Sequence, residues 1–288
     1  MTTKLTMKQT WSNNKSFTLI ELLIAIALLG ILATGTIMAL NIGGLIGKGH
    51  IAKAKRFDES IQSGLLSNQV GKWSFDDQSN PGINTSLSGY GNDGTVNGAT
   101  WQTKDQCGLG LGGCLSFDGV DDYVEISNSD SLNIGGNVTL SLWLYANSFN
   151  NNLADIYARY NGMNSGIVLE KNDGANSVSF YIGDGIDTIG ASTSTLSTNR
   201  WYHIVATYGG TNIKIYVDSV LQDTQAQSPP ATYIGIARIG WHSTVPENRR
   251  FWDGLIDEVA IYDKALTASQ IQHLYAQGLI RRSIALRY

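Results

Sequence analysis

The stretch YHIVATYGGTNIKIYVDSV, residues 202–220, decides the fold class because it contains two strands and the turn between them. In its second half Ile213, Ile215 and Val217 alternate with other residues, which is the period-2 pattern of a strand with one buried face. The residues GGTN stand between the two runs as a turn. The segment therefore predicts an antiparallel β-hairpin.

The same pattern continues through most of the chain from residue 72 onward. NVTLSLWLYAN, residues 137–147, alternates in the same way, and about ten such short strands are separated by turns rich in Gly, Asn, Asp and Ser. A single helix is predicted in this part, beginning with Thr267 and Gln270 as a capping box and ending at Gly278. Many short strands with polar turns indicate an all-β sandwich or jelly roll.

The charges are divided unevenly along the chain. Residues 1–70 contain seven Lys and Arg against three Asp and Glu, whereas residues 71–288 contain thirteen against twenty-one. Binding to nucleic acid relies on clustered Lys and Arg that neutralise phosphates. The acidic body therefore argues against nucleic acid as a partner.

The N-terminal part contains one long apolar stretch, KSFTLIELLIAIALLGILATGTIMAL, residues 15–40, in which Glu21 is the only charge after Lys15. As a helix, Phe17 to Leu40 would be about 36 Å long, which is enough to cross a hydrocarbon core of about 30 Å. The basic residues before it predict a cytoplasmic N-terminus and a body on the other side of the membrane. A cleaved signal peptide has a shorter apolar region. The hydropathy therefore predicts a membrane anchor.

A carboxylate within such a segment requires a partner. The order of a basic residue, Phe17, Thr18, Leu19, Ile20 and Glu21 before an apolar helix resembles the N-terminal segment of type IV prepilins and pseudopilins. The resemblance implies that a prepilin peptidase cuts between Ser16 and Phe17, and that Glu21 then pairs with the new N-terminal ammonium of a neighbouring subunit. Ser16 stands where this family usually has Gly. The alternative is an uncleaved anchor in which Glu21 snorkels to the cytoplasmic face.

The segment after the anchor carries four glycines that weaken a helix, and then apolar residues at helical spacing. We therefore predict an amphipathic stem. The chain divides into a leader (1–16), a transmembrane helix (17–47), an amphipathic stem (48–71) and a body (72–288).

Five segments of the body carry a second resemblance. They resemble, in order, the successive blocks of the laminin G-like, concanavalin A-like jelly-roll family: KWSFDD (72–77), GYGNDGTVNGATW (89–101), CLSFDGVDDYVEI (114–126), RWYHIVATYGGTNIKIYVD (200–218) and FWDGLIDEVAIYDKALTASQI (251–271). The resemblance implies an all-β jelly-roll sandwich, here preceded by a long N-terminal transmembrane and stem helix.

In this family, laminin G-like modules mostly bind carbohydrate or protein, whereas relatives in the same clan act on polysaccharides. A retaining glycosidase needs two carboxylates about 5–5.5 Å apart, which a strand supplies most simply as Glu-x-Asp. None of the four glutamates of the body has Asp two residues further on. We therefore predict that the protein is not an enzyme, with a polysaccharide-acting enzyme as the alternative.

The ligand is predicted to bind at two loops. Trp241 begins the polar segment GWHSTVPENRRFWDG, where an indole could offer a flat face to a sugar ring or a partner's side chain, and Arg249 and Arg250 could bind hydroxyls or acidic groups. Tyr157 and Tyr160, in DIYARYNG, would contribute from a second loop. The alternative is that Trp241 folds back as a lid on the edge of the sandwich.

Two further features concern stability. Cys107 and Cys114, in CGLGLGGC, are the only cysteines, and their spacing in an exported domain predicts a disulfide. The family resemblance implies a structural Ca²⁺ near Asp76, Asp118 and Asp257, since calcium prefers carboxylate and carbonyl oxygens. The alternative is that each Asp only satisfies its own turn.

The two resemblances together imply a pilin-like subunit that displays a carbohydrate- or protein-binding domain, adhesive in function and minor or at the tip of a filament. Its partners would be other pilin subunits through the N-terminal helix, the prepilin peptidase, the inner membrane before assembly, and an extracellular glycan or protein. The body would be extracytoplasmic and, after assembly, on a pilus or the cell surface. The alternative is a structural pseudopilin of a secretion or DNA-uptake machine.

Overall fold

The computed structural model describes a large part of the chain, namely residues 48–76, 83–84, 88–107, 112–149, 153–160, 165–184, 188–229, 231, 234–241 and 251–283. The predicted leader and transmembrane helix lie outside the described residues, together with Ser16, Phe17 and Glu21. The described residues form two α-helices, α1 (Lys48–Leu66) and α2 (Ala268–Ser283). Neither of these two helices combines the length and the hydropathy that a bilayer span requires.

The compact body begins at Glu59, so the last two turns of α1 belong to it. The sequence pattern places the end of the stem at residue 71. The body begins earlier because Ile61 and Leu65, near the end of α1, pack against a sheet of the sandwich. The first strand then begins at Gln69.

Sixteen strands, numbered in chain order, form two antiparallel sheets in the described residues. Sheet A contains, in spatial order, β14 (Val220–Ala226), β13 (Asn212–Val217), β12 (Trp201–Tyr208), β7 (Val138–Ala146), β16 (Asp253–Tyr262), β5 (Cys114–Asp118) and β4 (Thr100–Gln102), with β1 (Gln69–Trp73) also paired to β16. Sheet B contains β11 (Thr188–Ser192), β10 (Val178–Asp184), β9 (Ser165–Lys171), β8 (Ala154–Tyr160), β15 (Ala237–Ile239), β6 (Tyr123–Ile126), β3 (Gly94–Asn97) and β2 (Ile83–Asn84).

The inner faces of the two sheets share one apolar core. Its large side chains come from strands and connections of both sheets, and Trp73, Phe117, Phe180 and Trp252 are almost completely buried there. Each such side chain contributes about 1.5–3 kcal/mol relative to an exposed one. The predicted all-β sandwich is therefore confirmed, and the hairpin of residues 202–220 is the β12–β13 pair. The sequence predicts about ten strands, and some of the additional ones are very short: β2, β4 and β15 have only two or three residues.

The outer face of sheet A is covered by the two helices. Val205, Tyr216 and Tyr262 of the sheet form a second apolar cluster with Leu65 of α1 and Ile271 of α2. This explains why β7 is buried on both faces although its sequence alternates. Alternation indicates the side-chain period of a strand, but a covered sheet buries both sets of side chains.

The packing of α2 depends on a stack of aromatic rings. Tyr275 lies parallel to Trp143 and to His203, with ring centroids 5.7 and 6.0 Å away. His203 is buried there, and its Nε2 forms a 3.0 Å hydrogen bond with the Ser141 hydroxyl. A Cβ on Gly278 would lie 2.4 Å from the Trp143 ring. The predicted helix end at Gly278 is therefore wrong, because this glycine permits close approach to the sheet and α2 continues to Ser283.

Two predictions about local features, the capping box of α2 and the disulfide, are confirmed. The capping box forms at the start of α2, where the Thr267 N–H donates to Gln270 Oε1 at 2.9 Å and the Gln270 N–H donates to Thr267 Oγ1 at 3.3 Å. Cys107 and Cys114 form a disulfide with Cα atoms 6.1 Å apart. The disulfide is buried against Trp201, whose Nε1–H donates to the Cys107 carbonyl at 2.8 Å.

Candidate ligand-binding site

The outer face of sheet B lies on the side of the sandwich away from the helices, because the core separates it from sheet A. The strand register places one transverse row of side chains on this face: Thr95, Glu125, Arg238, Ala158, Val168 and Tyr181. Their neighbours along the strands, such as Val124 and Ile239, belong to the core. The row therefore faces outward, and its members on β3, β6 and β15 are polar.

Arg238 and Glu125 form an ion pair in the middle of this row. They lie directly opposite each other on β15 and β6. Nε and Nη2 of Arg238 both donate to Oε2 of Glu125, at 3.1 and 2.8 Å. The Glu125 side chain is 39% exposed and that of Arg238 is 16% exposed. The pair is therefore formed at a surface and not within the core.

Aromatic rings surround the guanidinium group of Arg238. Its Cζ atom lies 4.6 Å from the centroid of the Trp241 ring and 5.6 Å from that of Tyr123. Trp241 also contacts Tyr123, at 5.0 Å, and stacks on Phe251 at 5.1 Å with 15° between the planes. Cation–π contacts of this kind contribute about 0.5–1 kcal/mol at exposed sites. We call Tyr123, Glu125, Arg238, Trp241 and Phe251 the aromatic–ion-pair cluster.

The backbone around Trp241 explains why its ring reaches the sheet. Gly240 has φ of +87°, and a Cβ there would lie 2.4 Å from the Phe117 ring. The Trp252 N–H donates to the Gly240 carbonyl at 2.8 Å. This hydrogen bond joins the two ends of the segment 241–251 and brings Trp241 beside Phe251.

The structure locates only part of the predicted ligand-binding set. Trp241 lies back on the sheet, as the lid alternative predicts, but remains half-exposed. Its role in ligand binding stays a prediction. Arg249 and Arg250 lie outside the described residues.

The placement of Tyr157 and Tyr160 in a binding loop is wrong. Both belong to β8, and Tyr157 is completely buried while Tyr160 is 8% exposed. A bulge between Asp155 and Tyr157 turns the Tyr157 ring into the core. Burial raises the pKa of Tyr157 well above its usual range. These two side chains therefore belong to the framework of the sandwich.

The three aspartates predicted to bind calcium do not form one site. Asp118 lies opposite Asp253 on β16, and Asp257 is four residues further along that strand, which is about 13 Å. Asp76 lies at the other end of β5, where its Oδ1 accepts a hydrogen bond from the Gly113 N–H at 3.1 Å. The Asp257 carboxylate accepts the N–H of the next residue, Glu258, at 2.8 Å.

Within the described residues, the carboxylates that do come together are those of Asp118, Asp121 and Asp122, whose oxygens lie within 4.8 Å of one another. Burial raises the pKa of Asp122, and the negative charges of Asp118 and Asp121 raise it further, against a hydrogen bond from the Asp118 N–H that lowers it. Oxygen ligands of this kind fit calcium. Asp118 also accepts the Val120 N–H at 2.8 Å, as a turn residue does. Calcium binding stays a prediction, and these three side chains would hold the ion.

One pair of carboxylates lies on two neighbouring strands and therefore forms no motif within a single strand. Asp155 on β8 lies opposite Glu170 on β9, and directly opposite residues have Cβ atoms about 4.5–5.5 Å apart. However, Asp155 is completely buried, so its carboxylate does not reach solvent where a polysaccharide would bind. The pair therefore gives no support to a glycosidase site.

Two separate parts of the chain match known protein families. A family model described as the concanavalin A-like lectin/glucanases superfamily matches residues 118–272, which is more than half of the chain. A second model, the prokaryotic N-terminal methylation motif, matches residues 11–37. A search of curated proteins finds no match.

Solved structures with the same fold include toxin domains. The binding domain of botulinum neurotoxin serotype D is similar over 77% of this chain and 53% of its own, with TM-score 0.61 and 16% identity. The ligand-binding domain of that serotype, in complex with N-acetylneuraminic acid, gives the same values. The binding domain of Paraclostridial Mosquitocidal Protein 1 is similar over 73% and 52%, with TM-score 0.61 and 16% identity. The chain spans about half the length of these structures, and the likeness shows the fold.

Proposed function

Since the chain belongs to the concanavalin A-like lectin/glucanases superfamily, we propose that it is a pilin-like surface subunit whose body binds an extracellular glycan or protein. The observation that carries the proposal is the presence of two matched segments in one chain. Residues 11–37 match the prokaryotic N-terminal methylation motif, and residues 118–272 match the lectin-like module. In such a chain the segment with the methylation motif would anchor the protein, and the lectin-like module would bind the ligand.

The N-terminal part of the proposal concerns assembly. The motif supports cleavage by a prepilin peptidase, insertion into the inner membrane, and association with other pilin subunits through the apolar helix. Phe17 would then be the first residue of the mature chain, and its ammonium would pair with Glu21 of a neighbour.

The binding part of the proposal concerns sheet B. The helices pack on the outer face of sheet A, so in the part of the chain that the structure describes the outer face of sheet B is the one without a helix on it. There the aromatic–ion-pair cluster combines half-exposed rings with charged hydrogen-bonding groups. Binding sites commonly combine apolar rings with a few well-placed polar groups. The serotype D toxin domain that binds N-acetylneuraminic acid supports a glycan ligand only by its fold.

The proposed position is that of a minor or tip subunit with an adhesive role. A body of about 200 residues is large to repeat along the core of a filament, which favours low copy number. A structural pseudopilin would lack a ligand and would be needed for secretion or DNA uptake.

The experiment is immunogold electron microscopy of intact cells that carry an epitope after the last described helix, combined with a binding assay of the full-length protein. We expect labels at the cell surface or at filament tips. Continuous labelling along filaments would contradict the tip position, and absence of surface labels would contradict the function.

The same assay tests Trp241. In the variant Trp241→Ala we expect weaker ligand binding with a thermal midpoint only a few degrees lower, since the contact of this ring with Arg238 contributes about 0.5–1 kcal/mol. A lower midpoint with unchanged binding would show that this ring acts only as a lid.

A further inference from the structure

The ion pair of the aromatic–ion-pair cluster has unused hydrogen-bonding atoms. Nε and Nη2 of Arg238 are both directed at one oxygen of Glu125, its Oε2. Within the described part of the chain, Nη1 of Arg238 and Oε1 of Glu125 make no hydrogen bond. A guanidinium has five N–H donors and a carboxylate accepts on both oxygens. Donor groups of Arg238 and one acceptor atom of Glu125 therefore remain within one ion pair that is partly exposed.

This donor and acceptor are held in fixed positions. The guanidinium is fixed by two hydrogen bonds to Glu125 and lies against the Trp241 and Tyr123 rings. The two residues are also in direct register across β6 and β15. A free Arg side chain loses about 2 kcal/mol of rotamer entropy when it is ordered. Much of this loss has occurred before a ligand arrives, and such preorganisation favours binding.

The geometry disfavours an anionic ligand. Carboxylates and phosphates bind arginine in a bidentate way through two parallel N–H groups. In Arg238 the Nε and Nη2 edge is already occupied by Glu125, whose negative charge cancels that of the guanidinium and would repel an anion at the remaining N–H groups. The body as a whole carries thirteen basic against twenty-one acidic residues, so its field repels anions.

Resting on the proposed function, we propose that Arg238 and Glu125 determine specificity for a neutral sugar by binding two adjacent hydroxyl groups. A hydroxyl both donates and accepts a hydrogen bond. One hydroxyl accepts from Nη1 of Arg238 and its neighbour donates to Oε1 of Glu125. The parts of the Trp241 and Tyr123 rings that Phe251 and Arg238 leave exposed contact apolar C–H groups of the same sugar.

The test uses the full-length protein in detergent on an array of neutral, sialylated and sulfated glycans. The variants are Arg238→Met and Glu125→Met, which remove the hydrogen-bonding groups and keep an apolar stem. Arg200→Met is the matched control, because Arg200 also pairs with a carboxylate, Asp218, at 3.0 Å and lies 4.6 Å from the Tyr202 ring, but it directly precedes β12 of sheet A.

We expect binding to neutral glycans by the unchanged protein and by Arg200→Met. Each of the two cluster variants should bind about tenfold to a hundredfold more weakly, since a hydrogen bond to a charged group contributes about 1.5–3 kcal/mol. Their thermal midpoints should match that of the control variant.

Two results would overturn the inference. Unchanged binding by Arg238→Met would place the site elsewhere, and binding of the unchanged protein only to acidic glycans, or to no glycan, would refute the neutral sugar. These results leave the proposed function intact, because surface display is decided separately by the labelling experiment and a protein ligand is not probed by the glycan array.

Discussion

Replacing Gly278 by Ala sets two effects on α2 against each other. In a helix interior, Ala is more favourable than Gly by about 1 kcal/mol. At this position, however, the new Cβ would lie 2.4 Å from the Trp143 ring, which is buried and held by Tyr275. Forcing an extra methyl group into a packed contact costs about 1–3 kcal/mol. We therefore expect Gly278→Ala to lower the free energy of unfolding by about 0–2 kcal/mol.

Gly64 in α1 provides the matched control. A Cβ there meets only Nε2 of Gln270, at 3.4 Å, which is an ordinary contact. Gly64→Ala should therefore raise the free energy of unfolding by about 0.5–1 kcal/mol. Both variants replace Gly by Ala within a helix, although Gly64 lies in the last turn of α1, so the difference between them measures mainly the packing cost of the methyl group at Trp143.

The assay is urea and thermal unfolding of both variants, followed by far-UV circular dichroism and tryptophan fluorescence. For a domain of this size, 1 kcal/mol shifts the midpoint by about 2–4 °C. We expect the Gly278→Ala midpoint to lie several degrees below that of Gly64→Ala. Equal stabilisation by both substitutions would refute the close seating of α2 on Trp143.

Four other measurements test separate features. Removing the disulfide in the double variant Cys107→Ala/Cys114→Ala should lower the free energy of unfolding by about 2.5 kcal/mol, and alkylation of the unreduced protein should label neither thiol. Burial raises the pKa of Asp223, but hydrogen bonds from Gln225 and two backbone N–H groups lower it more, so the net pKa is below its usual range. The stabilisation that the charged Asp223 side chain gives to the folded state is present at pH values above its ordinary pKa of about 3.9, and it is lost as the pH falls through the lowered pKa. Asp223→Asn should therefore destabilise the protein at pH 7 and have little effect in strong acid. N-terminal sequencing of the membrane-extracted protein should begin at Phe17, whereas an intact leader would support the uncleaved anchor. The predicted calcium should raise the thermal midpoint, and a midpoint indifferent to chelator would contradict it.

Local features of the fold can be predicted from the sequence because they depend on neighbouring residues. The hairpin of β12 and β13 follows from alternation and a turn of four residues, and the capping box of Thr267 and Gln270 depends on residues three apart. The disulfide joins cysteines separated by seven positions. In each case the partners are already close in the chain, so their pairing does not require knowledge of the sandwich.

The candidate site is different because it depends on distant pairings. Arg238 and Glu125 are 113 positions apart and meet only because β15 pairs with β6. Tyr157 and Tyr160 are predicted to lie in a loop because a polar segment follows them, but β8 includes both residues. The role of Gly278 also depends on a residue far away in the sequence. A glycine near the end of a predicted helix usually terminates the helix, but here it allows the Trp143 ring of β7 to approach closely.

The way α1 leads into the sandwich has a mechanical consequence. Only two residues separate α1 from β1, and β1 is paired with β16, which has β7 on its other side and therefore lies inside sheet A. Trp73 at the end of β1 is completely buried, and its Nε1–H donates to the Asn92 carbonyl at 2.8 Å. Tension between a fixed N-terminal segment and a load held on sheet B would thus pass through β1 to β16, which lies inside sheet A. An attachment at the edge strand β14 would load β13, which has one further neighbour in the sheet, whereas this one loads β16, which is also paired with β7 and β5.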